Sequence, residues 1–194
     1  MMSLGFGEYN KMSKPRLTII TSIAITAVVL IFLRYGFTWM MPTAVGVAGI
    51  LLAISVHDFN TREIPDRLVI ALIPLAGLAF FIQPHISLMS RGIGFLTVSL
   101  PMLVLALVIN GAFGGGDIKL MAVCGFLLGW QNTLVAFFIA LMLAGCWIIY
   151  LAIKGRAKKG QHIAFGPALC TGVFTALLVG SEIVDWYIGF LFLH

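Results

Sequence analysis

Residues 39–57 read WMMPTAVGVAGILLAISVH, nineteen positions without a formal charge, and Asp58 follows at once. About 20 mostly apolar residues make a helix that crosses the hydrocarbon core of a bilayer. Comparable runs stand at 17–33, 68–83, 92–110, 133–153 and 163–180. Across the 194 residues, 61% are hydrophobic and only 10% are charged, whereas a soluble domain carries about 25% charged residues. The expected fold is an all-α integral membrane protein, a polytopic bundle of about 6–7 transmembrane helices plus short interfacial segments. Residues 1–16 read as a polar N-terminal leader and 17–194 as one membrane-embedded domain. Lys11, Lys14 and Arg16 precede the first apolar run, but no small-residue cleavage site follows it, so it reads as an uncleaved anchor.

Two further apolar runs are short. Residues 118–130 cover only about 20 Å as a helix, so they should be tucked among other helices. Residues 183–193 contain Asp185, Trp186 and Tyr187 and read either as an interfacial helix or as the tail of the last span.

The basic residues are distributed unevenly. Counting 118–130 as a crossing puts the N-terminus, 58–67, 111–117 and 154–162 on one side. That side holds Lys11, Lys14, Arg16, Arg62, Arg67, Lys119, Lys154, Arg156, Lys158 and Lys159, and the other holds Arg34 and Arg91. Cytoplasmic loops are rich in lysine and arginine, so the first side is expected to face the cytoplasm. The net charge of +5 therefore reports topology. With no basic stripe interleaved with aromatics, nucleic acid is not an expected partner. Cys124, Cys146 and Cys170 lie in apolar runs with no C-x-x-C pair, which argues against structural zinc and a disulfide framework.

Only seven residues are acidic, and four of them, Asp58, Glu63, Asp66 and Asp117, fall on the basic side. Asp58 closes an apolar run, and Asp117 closes the glycine-rich stretch Gly111-Ala112-Phe113-Gly114-Gly115-Gly116. A carboxylate immersed in lipid costs about 2.5–3.5 kcal/mol. Two carboxyl groups that approach closely can share a proton. One can then draw a proton from water while the other protonates a peptide carbonyl, which is aspartic-protease chemistry and needs no metal or cofactor. Gly114, Gly115 and Gly116 would let an extended peptide approach and would permit unusual backbone angles. A β-branched residue at position 116 should therefore damage cleavage, while position 115 should tolerate alanine. Simpler roles are open for the same residues. Asp117 could cap a helix beginning at Ile118, and Asp66 one beginning at Arg67. His57 could be a structural histidine or a metal ligand, and Lys119 could snorkel or tune the pair.

Three motifs here resemble those of the type IV prepilin peptidases, the GxGD-type membrane aspartic proteases (peptidase A24 family). They are Asp58 through the Ile64-Pro65-Asp66 corner, Gly114 to Asp117 within a G-x-G-D, and Ile163-Ala164-Phe165-Gly166-Pro167, in which Ala164 replaces the family's usual proline. The resemblance covers about residues 40–180 and implies that Asp58 and Asp117 are the catalytic pair. It implies as substrate the N-terminal segment of a prepilin or pseudopilin with a short basic leader, cut just before its apolar helix on the cytoplasmic side of a bacterial inner membrane, with pilus or secretion machinery as possible partners. Gly114, Gly115, Gly116, Glu63, Asp66 and Lys119 are expected near the substrate, with Glu63 and Asp66 attracting its basic leader. The connection Arg34 to Thr38 is too short for the cytoplasmic domain of bifunctional members. The chain thus resembles a short form without N-methylation, and S-adenosylmethionine is not expected. Alternatives are a preflagellin-type or other GxGD protease, and, in a different class, a small ion- or proton-coupled transporter or a scaffold subunit.

Overall fold

The structure, a computed structural model, describes residues 14–109, 113–155 and 164–192. Most of the expected leader, Gly111 and Ala112 of the second motif, Ile163 of the third and much of the basic 154–162 loop lie outside the described residues. The chain forms helices α1 (Lys14–Tyr35), α2 (Met40–Thr61), α3 (Asp66–Ile82), α4 (Leu88–Thr97), α5 (Ser99–Val108), α6 (Gly115–Leu128), α7 (Trp130–Ile153) and α8 (Gly166–Phe192). There is no strand among the described residues.

Five stretches are long and apolar enough to cross a membrane: Arg16–Tyr35, Met40–Thr61, Leu88–Val108, Trp130–Ile153 and Gly166–Leu191. The third is α4 followed directly by α5, with Val98 between them. Large apolar side chains such as Ile25, Leu107 and Phe138 stand exposed on the outside of the bundle. Lipid tails are as apolar as these side chains, so the protein is an all-α membrane bundle with an outward greasy surface. The stretch 183–192 is the far arm of α8, beyond a bend at Val179 (φ −133°, ψ 17°).

The two short helices, α3 with 17 residues and α6 with 14, also run between the two ends of the bundle. Asp66 and Lys119, near the starts of these helices, meet at one end, and Arg91 holds carbonyls from both at the other. Helix α6 can be short because its neighbours enclose it. Leu120, Met121, Cys124, Leu127 and Leu128 are all buried. Gly94 of α4 lies against Gly125 so closely that neither has room for a Cβ. Small residues allow this backbone approach. Gly129, at φ +76° and hemmed in by Ser90 and Ile86, then turns the chain from α6 into α7.

Charge counting puts Arg91 with Arg34 on the side opposite the aspartates; Arg91 stands at that end of the bundle and is fully buried. Its guanidinium donates to the carbonyl oxygens of Ala79 (3.1 Å), Gln83 (3.2 Å), Phe126 (3.1 Å), Leu127 (3.1 Å) and Ile86 (3.4 Å). Most of these belong to the last turns or caps of α3 and α6, where carbonyl oxygens carry partial negative charge; those of Ala79 and Gln83 also accept backbone N–H groups, from Gln83 at 2.9 Å and Ile86 at 3.3 Å. One buried cation satisfies both ends. At the same end Arg34 pairs with Glu182, and the Tyr35 hydroxyl donates to the Leu177 carbonyl at 2.6 Å, tying α1 to α8.

Candidate active site

The other end of the bundle gathers all three sequence motifs. Asp58 lies inside the final turns of α2 and is buried, 4% exposed. Its Oδ2 accepts a hydrogen bond from the backbone N–H of Gly166 at 3.0 Å. Gly166 is the first residue of α8, where N–H groups have no helical partner and the helix dipole favours an anion. A Cβ at Gly166 would stand 2.7 Å from Asp58 Oδ2 and 2.8 Å from its Cγ. Glycine is thus what lets this N–H reach the carboxylate.

Asp117 is partly buried in the first turn of α6, where its Oδ2 accepts the Gly114 N–H at 3.2 Å. The aspartate therefore reaches back to its own helix start, and this fixes the carboxylate's direction. Burial pushes the Asp117 carboxyl up to about 6, the Gly114 N–H opposes the rise, and the charge of Asp58 adds to it. Two carboxyl groups from helices far apart in sequence therefore act on each other electrostatically.

The glycines do not use the unusual backbone angles that the sequence would permit. Gly115 and Gly116 open α6, Gly114 precedes them with φ −74°, and none of the three has a positive φ. A Cβ at Gly116 would sit 2.7 Å from Ile64 Cβ and 3.0 Å from Ile64 O, while one at Gly115 would meet nothing within 4 Å. Gly116 lets the start of α6 rest on the Ile64-Pro65 corner between α2 and α3. The Phe113 and Phe165 rings, 5.7 Å apart, join the second and third motifs.

Among the remaining expected residues, Asp66 accepts from Lys119 Nζ with both oxygens at 2.8 Å. These charges face each other across α3 and α6, so Lys119 does not stand free. Glu63 has no ion pair among the described residues and lies exposed. His57 Nδ1 lies 2.9 Å from Thr61 Oγ1 and 3.1 Å from the Glu63 carbonyl, a local tie at the end of α2. The described residues contain no cluster of His, Cys, Asp or Glu able to hold a metal ion. Ile64 and Gly166 stand inside the motifs on which the resemblance rests, yet residue chemistry alone gives no reason to single them out. The larger cavity, about 640 Å³ and lined by Arg34, His85, Asn132 and Asp185 among others, lies at the opposite end and holds neither carboxylate.

Residues 45–149, more than half of the chain and both aspartates with them, match the model of the type IV leader peptidase family. The chain belongs to this family. It is 32% identical to a prepilin leader peptidase/N-methyltransferase of Bacillus subtilis (strain 168) over 160 residues, 80% of this chain and 63% of the relative. Relatives of the same description in Legionella pneumophila and Pseudomonas aeruginosa are 28% and 29% identical, each covering 81% of this chain and 56% of the relative. The chain therefore spans well under two thirds of the length of the last two relatives and slightly under two thirds of the first. No solved structure matches it significantly. Within this leader peptidase family member, the matched region ends inside α7 and leaves out Gly166, whose N–H holds Asp58.

Proposed function

We propose that the protein is an aspartic endopeptidase that removes the short basic leader of a prepilin or pseudopilin at the cytoplasmic face of the bacterial inner membrane. The observation that carries this reading is that the charge of Asp58 reaches Asp117, at the end of the bundle that also bears Arg62, Arg67 and Lys119. The pair shares one proton and titrates as a unit. Asp117, whose carboxyl is raised, holds that proton and delivers it to the scissile carbonyl. Asp58, oriented by the Gly166 N–H, takes a proton from the attacking water. Water adds to the carbonyl carbon, and the tetrahedral intermediate collapses with the proton passing to the leaving amine. Exposed Glu63 offers a partner for a basic leader, whereas Asp66 is already engaged by Lys119. Family membership and the prepilin leader peptidase relatives support this substrate class.

The test is cleavage of a prepilin by purified protein in detergent or vesicles. Asp58→Asn and Asp117→Asn should each abolish it while leaving the protein folded in the membrane. Cleavage at the wild-type rate by either variant removes that residue from the mechanism. A transporter or scaffold would leave the leader attached in every case.

A further inference from the structure

Beside the carboxylates, a second cavity of about 430 Å³ opens between the end of α2, the last turns of α7 and the start of α8. Its lining is mainly apolar, with Phe59, Leu143, Ala144, Trp147, Ala168 and Thr171 among its walls and Arg62 at the polar edge. We propose that this groove seats the apolar helix of the substrate, the segment that follows the scissile bond, entering sideways from the lipid. The inference rests on the peptidase reading above and adds a location to it.

Four observations converge. First, the groove is continuous with the site. Phe59 adjoins Asp58, and Pro167, another lining residue, adjoins Gly166, whose N–H holds Asp58. A helix lying here has its end beside the carboxylates. Second, the groove faces lipid. Phe59 is 70% exposed and Trp147 52% exposed, and both stand on helices that cross the membrane. Third, the groove is lined partly by small side chains, Ala144, Ala168 and Thr171, which let the backbone of a second helix approach closely. From Leu143 to Leu151 the α7 wall extends about 12 Å, roughly two helical turns. Fourth, charge gives the occupant a direction. Arg62, exposed and held in the left-handed conformation (φ 59°) where α2 ends, puts a cation at the rim with no ion pair among the described residues. A basic leader is repelled from this groove, while an uncharged helix is not. The leader is thereby left to the Glu63 side of the corner.

The experiment places a benzophenone amino acid at position 143 or 171 of the Asp117→Asn protein, in vesicles with an intact prepilin. Irradiation should give adducts that map by mass spectrometry to the apolar helix of the prepilin. The same probe at position 73, on the exposed face of α3, should give none. Adducts on the leader, or equal crosslinking from position 73, overturn the proposal. In parallel, Ala144→Trp fills the groove, and KM for the intact prepilin should rise roughly tenfold with kcat retained. Ile73→Trp should leave KM unchanged, and an unchanged thermal midpoint shows that the Ala144→Trp protein is folded. A protein that cuts prepilin with normal KM despite Ala144→Trp refutes the groove and leaves the peptidase reading standing. A wild-type protein that does not cut sinks both.

Discussion

Adding one methyl group at position 116 tests how the carboxylate end is built. The Cβ of Gly116→Ala would stand 2.7 Å from Ile64 Cβ, 3.0 Å from Ile64 O and 3.4 Å from Ile64 Cα. Ordinary contact between carbon atoms is about 3.5–4.0 Å, so the two segments must part by about 1 Å. Rotating a side chain cannot relieve the clash, because all three opposing atoms are fixed by the backbone. The corner is held by the Asp66–Lys119 pair and by the ties from His57 and Thr61 to the Glu63 carbonyl. The start of α6 therefore moves, and Asp117, the next residue, moves with it. Overpacking of this kind costs about 1–3 kcal/mol of stability. A displacement of about 1 Å at a reacting group can cost on the order of 100-fold in rate. Cleavage by Gly116→Ala should accordingly fall by about two orders of magnitude, and Gly116→Val, with two more carbons, should fall further. Gly115→Ala meets open space and lies in a helix, so it should cleave normally and gain a few tenths of a kcal/mol, roughly the usual benefit of a stiffer unfolded chain. Ile64→Gly removes the nearest opposing atom and should restore part of the activity of Gly116→Ala, whereas Ile64→Ala, which keeps its Cβ, should not. Prepilin cleavage and thermal unfolding are measured on the same purified proteins. Wild-type cleavage by Gly116→Ala with an unchanged midpoint would show that α6 does not rest on this corner.

Gly166→Ala should push the Asp58 carboxylate away from its N–H donor, since the new Cβ would meet Oδ2 at 2.7 Å; cleavage should drop by roughly 100-fold with a near-normal fold, and full activity would dismiss the Gly166 contact. Arg91→Met should deprive the carbonyls at the ends of α3 and α6 of this donor and destabilise the protein by about 1–3 kcal/mol, the cost of buried acceptors left unsatisfied. Lysine at this position, with three donors for five carbonyls, should rescue it only in part, and a thermal midpoint unaffected by either change refutes the capping role. The Asp117 carboxyl, lifted by burial from the ordinary carboxylate range to about 6, is protonated in the folded protein at acidic pH and loses its proton as pH rises through that value. The protonated form is the one that the fold favours, so stability should decline between about pH 4 and 6 by up to roughly 3 kcal/mol. Asp117→Asn should abolish both that slope and an infrared carboxylic-acid band with a midpoint near 6; identical slopes in the two proteins would contradict the assignment.

Hydropathy and charge were enough to establish a membrane bundle, because a span is written in about 20 consecutive residues and needs no partner to be read. The alternation of ends followed as well, and so did the two aspartates, each conspicuous as an acid at the end of an apolar run. Local sequence could not show partners that are distant. Arg91 read as a charge on the side opposite the aspartates, and the carbonyls that it binds come partly from residues 126 and 127 on α6. Asp66 read as a helix cap or as an attractor of the leader, yet it pairs with Lys119, 53 residues away. The glycines before Asp117 suggested backbone freedom, whereas Gly116 is required for contact with Ile64. Gly166 lies 108 residues from the carboxylate that it orients. Each of these assignments depends on which helix ends arrive together. That is decided by packing, through close contacts such as Gly94 on Gly125, and by the burial of polar groups that must find partners inside the bundle. The sequence alone determined which segments enter the membrane and which acids are worth placing at its boundary. The tertiary structure decided which cations are spent on neutralising them, which backbone N–H groups aim them, and which glycines make room for the approach.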